Sequence, residues 1–334
     1  MNYKHLSLEE REKLYALKEQ GFSLRKIARK LKRSDATLGR ELRRNAKYGT
    51  VYIPCRAQRL SDKRGFRQRC RAPLKNPLVF LYVREHLRED RWSPDEISGR
   101  IRLDHPGQSV SYETIYRYIY SGRMKRFKYW QYLTLGRKKR MSKGGRKVRN
   151  EYSGKIPGAI SIDLRPQVVS DRVEVGHWET DNVIGRQTDR SALSTTVERT
   201  LLFALVDKLT DRSARAKVDT VVKGLSNFPE SLRKTITEDN GSENSYHLEL
   251  AERLELDVFF CHAYHSWEKG TNENTNGRLR RYIPKGVSID GITEEQVKAI
   301  ERRLNSTPRK KLGYLTPYEK MNEVLSKDTA ALPV

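Results

Sequence analysis

Apolar positions recur at helical spacing through the first 120 residues, then give way after about residue 168 to short apolar runs separated by polar turns. Ser7-Leu8-Glu9-Glu10 sets a Ser at an N-cap with Glu three residues on, a capping box. Leu8, Leu14 and Leu17 continue that helix until Gly21. Ser23 can cap a second helix holding Leu24, Ile27, Ala28 and Leu31, and Ser34 a third that runs through Leu38 and Leu42 to Asn45. Short helices, a tight turn and a small Ala where they cross predict a helix-turn-helix, although the turn lacks a Gly. A second set starts near Asn76 with Leu78, Leu81, Val83 and Leu87. Trp92-Ser93-Pro94-Asp95-Glu96 then opens a helix with Ile97, Ile101 and Leu103, and Ser111-Tyr112-Glu113-Thr114 opens one with Ile115, Tyr118 and Ile119. This predicts a second helix-turn-helix-like unit, for which a structural or dimerising role is the competing reading.

Farther on, strands are expected at Val173–Asp181, Ser194–Val197, Leu201–Val206, Thr235–Gly241 and Val258–Phe260. Helices are expected at Val218–Leu225, Leu248–Leu254 and Glu268–Tyr282. Three strands, helix, strand, helix, strand, helix is the order of an RNase H-like α/β domain.

Charge sharpens this division. The 334-residue chain carries a net +25, and residues 1–150 hold 40 Lys and Arg against 14 Asp and Glu. Residues 151–334 hold 27 against 28. The whole basic excess therefore lies with the predicted helical units, and a polyanion is the expected partner, attracted by counterion release at phosphates. On the third helix Thr37, Arg40, Arg43 and Arg44 are candidate DNA contacts, with Arg25 on the second; Tyr112 and Arg117 play that part in the second unit. Residues 51–75 and 123–165 read as basic linkers, the latter with Tyr129, Trp130 and Tyr132 free to stack on bases or to anchor the chain. Cys55, Cys70 and Cys261 lack paired spacing, which excludes a disulfide scaffold and a cysteine-rich zinc site. No apolar run reaches the ~18 residues of a membrane span, and none near the start resembles a signal peptide. The expectation is a cytoplasmic protein without a membrane partner.

Three acids stand at the places where this strand order puts chemistry: Asp181 at the first strand, Asp239 at the end of the fourth and Glu273 in the helix after the fifth. Clustered carboxylates resist common ionisation, so such a trio makes sense around hard cations, and two Mg²⁺ ions about 3.5–4 Å apart can serve both oxygens of a phosphodiester displacement. Glu179, Glu238, Glu243 and Glu268 compete for the role, and solvated surface acids are the ordinary alternative. Lys269, Asn276, Gly277 and Arg280 share a helical face with Glu273, which suits phosphate beside a metal, whereas Glu268 points about 140° away.

Several motifs occur together and in order. They are Arg40-Glu41-Leu42-Arg43-Arg44-Asn45, Trp92-Ser93-Pro94-Asp95-Glu96-Ile97, Glu113 to Tyr120, and Gly176-His177-Trp178-Glu179 with Asp181. Asp239-Asn240-Gly241-Ser242-Glu243, Trp267 to Asn274 and Thr307-Pro308-Arg309-Lys310 with Leu312-Gly313 follow. Over about residues 5–320 the chain resembles bacterial insertion-sequence transposases with a D-D-E triad, of the family named for insertion sequence thirty. The resemblance implies an RNase H-like (integrase-type) catalytic domain, Mg²⁺ or Mn²⁺ with two ions per site, binding of terminal inverted repeats, and strand cleavage and transfer into target DNA. It implies that Asp181, Asp239 and Glu273 are the catalytic metal ligands and that Arg280 is the basic residue seven after the Glu. Lys269 joins Arg280 as an expected DNA contact. Asn244 and Asn182 depart from the family pattern, which more often has an aromatic and an apolar residue there.

The expected architecture is thus multidomain. All-α helix-turn-helix units at 1–50 and 76–122, joined by linkers 51–75 and 123–165, precede an α/β RNase H-like catalytic domain at 166–325 and a tail at 326–334. Paired element ends call for a homo-oligomer on double-stranded DNA. The alternatives are a catalytically silent DNA-binding regulator of the same ancestry, against which the intact triad argues, and a tyrosine recombinase, for which no His supplies the needed His-x-x-Arg.

Overall fold

The computed structural model describes residues 5–46, 51–71, 74–121, 124–138, 156–262 and 265–330. Their contacts separate two compact units, residues 1–75 and residues 76–334.

In the first unit α1 (Leu8–Glu19), α2 (Leu24–Leu31) and α3 (Asp35–Asn45) start where the sequence places caps: Ser7 forms the complete capping box with Glu10, and Ser34 accepts from the Thr37 amide. The turn after α2 manages without Gly because Lys32 takes the left-handed conformation at φ 49°. Leu14, Ile27, Ala28 and Leu38 meet in one core. The segment expected as a loose linker is instead mostly a helix, α4 (Pro54–Arg71). Its apolar content is too low to show a stripe. It is held by Ala57 in the shared core and by Gln58, which accepts from the buried Arg11 guanidinium. Arg11 in turn pairs with Glu41 at 2.7 Å, so a buried cation ties α1, α3 and α4 together.

The second unit opens with α5 (Pro77–Arg88), α6 (Pro94–Asp104) and α7 (Tyr112–Tyr120), capped by Asn76, Ser93 and Ser111. These helices do not form a separate domain, as the boundary at 122 would have it. Arg100 forks onto Glu319 at 2.7 and 2.8 Å, Glu96 is buried against Arg278, and Gly99 lies so close to the Tyr314 ring that a Cβ there would meet it at 2.2 Å. The buried Glu96 needs its cation, and Arg278, like Tyr314 and Glu319, lies beyond residue 165. Tyr129 anchors the following segment by packing against Tyr118, centroids 5.8 Å apart, rather than standing free to stack. The basic run at 139–149 lies outside the described residues.

After the short α8 (Gln167–Asp171) come β1 (His177–Val183), β2 (Ala192–Glu198), β3 (Ala204–Leu209), α9 (Ala214–Leu225), β4 (Thr235–Glu238), α10 (His247–Leu254), β5 (Asp257–Phe260), α11 (Gly270–Leu279), α12 (Glu294–Asn305) and α13 (Pro317–Ala330). The sheet runs β3-β2-β1-β4-β5, antiparallel among the first three and parallel from β1 through β4 to β5. That is the RNase H-like arrangement. Trp178 and Ile236 point to one side, into a core shared with α9, α10 and α13. Val183, Leu193 and Val206 point to the other, against Leu279 of α11 and Leu304 of α12. Residues 326–330, expected as tail, prolong α13.

Candidate active site

The parallel pairing of β1 with β4 sets His177 beside Thr235 and Glu179 beside Thr237. Continued by two residues, the same register brings Asp181 level with Asp239 on strands about 4.8 Å apart, and the pleat turns both to the α11 side. There they line a cavity of about 310 Å³ with Glu273 and Asn276 of α11, Lys269 just before it, and Cys261, His262 and His265 after β5. The three carboxylates singled out in the sequence are therefore brought to one cleft.

Lys269 decides the electrostatics. Its ammonium donates to Asp239 Oδ2 at 2.8 Å, Asp181 Oδ1 at 3.3 Å and the Thr180 carbonyl at 3.1 Å. Burial works against its charge, but the two aspartates more than offset it and hold the amine above the ordinary lysine range. Burial likewise raises Asp239, yet Lys269 brings it below the usual carboxylate range. Lys269 is thus not presented to DNA as expected; it is buried because two adjacent carboxylates leaving water demand a cation. Its ammonium stands in for a positive ion between them. Hard oxygen donors from Asp181 and Asp239, with Glu273 across the cleft, fit a divalent cation.

The surrounding amides orient these oxygens. Asn276 Nδ2 donates to Asp181 Oδ2 at 2.8 Å, and Thr195 Oγ1 donates to Asn276 Oδ1 at 2.9 Å. Asn244 Nδ2 donates at 2.8 Å to both the carbonyl and Oδ1 of Asp239, while its own oxygen accepts from Lys217. Asn244, one of the two departures from the family pattern, thus positions Asp239. The signal missed was that an amide five residues after Asp239 can reach back to hold its carboxylate. Asn182, the other departure, leaves its Oδ1 buried with no partner among the described residues.

The competing acids have other partners. Glu179 is buried on Arg199 at 2.9 Å and accepts from the Asn272 amide; Glu238 points to the opposite face, 3.4 Å from Lys217. Glu268 accepts from His262 and His265, and Glu243 lies in the turn after Asp239.

Arg280 donates to the Ile184 carbonyl at 2.8 Å, with Nη1 buried and unpaired among the described residues. Arg40 and Arg43 are exposed and donate to the carbonyls of Ala36 and Gly39 in their own helix. Arg25 and Arg44 are exposed too, and Thr37, Arg40 and Arg44 border a groove of about 590 Å³ between α3 and α4. Tyr112 is exposed, and Arg117 pairs with Glu113 of its own helix at 3.4 Å.

Comparison with known proteins bears on all of this. A helix-turn-helix domain model matches residues 2–45. The transposase for insertion sequence element IS1086 of Cupriavidus metallidurans is 37% identical over 99% of this chain and 98% of its own. The transposase InsI for insertion sequence element IS30A of Escherichia coli is 33% identical over 94% and 82%. The chain belongs to the IS30 family of insertion-sequence transposases. The transposase for IS4351 of Bacteroides fragilis is likewise 37% identical, over 98% of both chains. Among solved structures, the catalytic core domain of BIV integrase is similar over 46% of this chain and 98% of that one, at 19% identity and a TM-score of 0.36. In this transposase no helix of the described residues is long and apolar enough to cross a membrane.

Proposed function

We propose that this transposase binds the terminal inverted repeats of its element through α1–α3 and cleaves and joins DNA strands at Asp181, Asp239 and Glu273. The observation that carries the reading is the register of β1 and β4, which sets Asp181 and Asp239 side by side, bridged by one cation and facing Glu273. Asp181, Asp239 and Glu273 would hold Mg²⁺, for which Mn²⁺ substitutes, two ions per site. When bound, the ions supply activation of the attacking oxygen and stabilisation of the leaving one. Asn276 and Asn244 keep one oxygen of each aspartate fixed, while the other oxygen of each accepts from Lys269. Arg280 Nη1 offers a donor for a non-bridging phosphate oxygen.

In the first step a water oxygen bonds to phosphorus, the P–O3′ bond breaks and the 3′-oxygen leaves with a proton. In the second, that 3′-hydroxyl oxygen loses its proton, bonds to a target phosphorus and displaces the target's own 3′-oxygen. No side-chain nucleophile is needed. Two ends joined together imply a homo-oligomer on DNA, through surfaces of residues 76–165. Incubating the protein with labelled element ends, with and without Mg²⁺, tests the reading: nicking at the element boundary only with the metal is expected, and metal-independent nicking would overturn it.

A further inference from the structure

Helix α11 has a second working flank. Glu273 and Asn276 face the carboxylate cleft, whereas Thr271, Thr275 and Arg278, about 140–200° around the helix from Glu273, border another cavity of about 330 Å³. Arg172, Arg309, Lys310 and Lys311 complete its basic wall, and no carboxylate lines it among the described residues. Thr307-Pro308-Arg309-Lys310, conspicuous in the sequence and without a part in the triad, delivers two of these cations, and Lys311 follows it directly.

Arg309 is the telling group. It is 4% exposed, and only Nη2 is engaged, donating to the Leu304 carbonyl at 2.8 Å; Nε and Nη1 are buried with no partner among the described residues. Thr271, 5% exposed on the same wall, also has an unpartnered buried hydroxyl. A buried guanidinium with two idle donors is destabilising unless an anion answers it. Burial first, and Arg278 next, push Arg309 down to about 9, as expected of a cation lacking its counter-charge. The carboxylates beside this wall are already paired: Glu96 is held by Arg278, and Asp95 pairs with Lys310 at 3.7 Å. A guanidinium with idle N–H donors and a free hydroxyl bordering one basic cavity match a phosphate.

We infer that this cleft binds a backbone phosphate of a DNA strand that passes over α11 from the carboxylates. A third cavity makes the path continuous, since Glu273 borders it together with Asn274 and Arg278. The inference rests on the transposase reading. The phosphate can belong to the element end or to the target arm, and the substrate distinguishes them.

The full-length protein is tested by gel shift on a branched duplex in which an element end is joined to a target arm, with single neutral methylphosphonates placed along each strand. At the contacted phosphate, neutralisation weakens wild-type binding about tenfold. In Lys310→Ala/Lys311→Ala, both exposed positions, and in Arg309→Gln, binding is weaker overall and that one position loses its effect while the others keep theirs. Its location on the element or target arm names the source. Because Arg309→Gln removes a buried group, the lysine pair decides if that variant fails to fold. Retention of every methylphosphonate effect in the lysine variant overturns the cleft as a phosphate site. Wild-type protein that fails to bind the duplex at all strikes the transposase reading instead.

Discussion

Two three-helix sets in this transposase share the same sequence signs, capped starts and Leu or Ile at helical spacing, and, Arg11 on Glu41 and Arg33 on Glu10 apart, several of their cations go to different places. In α1–α3, Arg25, Arg40, Arg43 and Arg44 remain exposed on the surface. In α5–α7, Arg91 donates to the Arg281 carbonyl, Arg100 clasps Glu319, and Glu96 is buried on Arg278. A helix that spends its charges on neighbouring protein is a scaffold, and one that leaves them in water is available to phosphate. The same holds across the chain: in the catalytic domain Lys269, Arg199 and Lys217 lie buried on carboxylates. Binding and chemistry should therefore separate by region.

The most severe test of that separation is Asp239→Asn. The substitution keeps size and removes the charge proposed to hold metal, so nicking of a labelled element end should fall by several orders of magnitude while a gel shift on the same DNA is unchanged or slightly stronger. Asp181→Asn and Glu273→Gln should behave alike, and Glu268→Gln should retain most activity. Wild-type nicking by Asp239→Asn would move the chemistry elsewhere. Asn244→Ala asks whether the amide works through Asp239: single-turnover nicking should drop about 10–100-fold, with DNA affinity untouched. An equal loss of affinity would instead make Asn244 a DNA contact.

The contrast between helix sets is sharpened by Arg40→Ala and Arg117→Ala. The first should weaken binding to the cognate end by roughly 1–3 kcal/mol, and random DNA less. The second, on a residue already paired with Glu113, should change either by little. Fluorescence anisotropy on both sequences reads the difference, and equal losses would erase the distinction between the two helix sets.

The smallest effect concerns docking of α6. The hydrogen bonds of Arg100 hold Glu319 down to about 2, so its folded pKa lies below the unfolded one. The pair's contribution is present above the ordinary carboxylate range and is lost as pH falls toward 2. The Tm advantage of wild type over Glu319→Gln should thus be greatest near neutrality and shrink below about pH 4.5. A gap that is constant with pH would assign the effect to shape rather than charge.

Helix starts were legible because caps are local: Ser7, Ser34 and Ser93 each sit where their side chains accept an amide three residues on. The sheet order followed from alternation of strands and helices. What stayed hidden was tertiary. Nothing local marks α4 as packed, because Ala57 contributes one small apolar face among arginines. Lys269 read as a DNA contact because its spacing from Glu273 is visible, whereas the two aspartates that capture it come from β1 and from just after β4. The docking of α5–α7 is hidden for the same reason, since Arg278 and Glu319 lie some 180 and 220 positions from the residues they hold.

The alignment of Asp181 with Asp239 depends on backbone registry, which gives the site an uneven tolerance to genetic change. Many side chains of β1 and β4 can be exchanged without moving either carboxylate, provided the pleat and its packing survive. Insertion or deletion of one codon within β4 is another matter. It would turn Glu238 toward α11 and send Asp239 to the α9 side, inverting the cleft without replacing any of its carboxylates. Drift by replacement with strand lengths held constant is the evolutionary path this sheet leaves open.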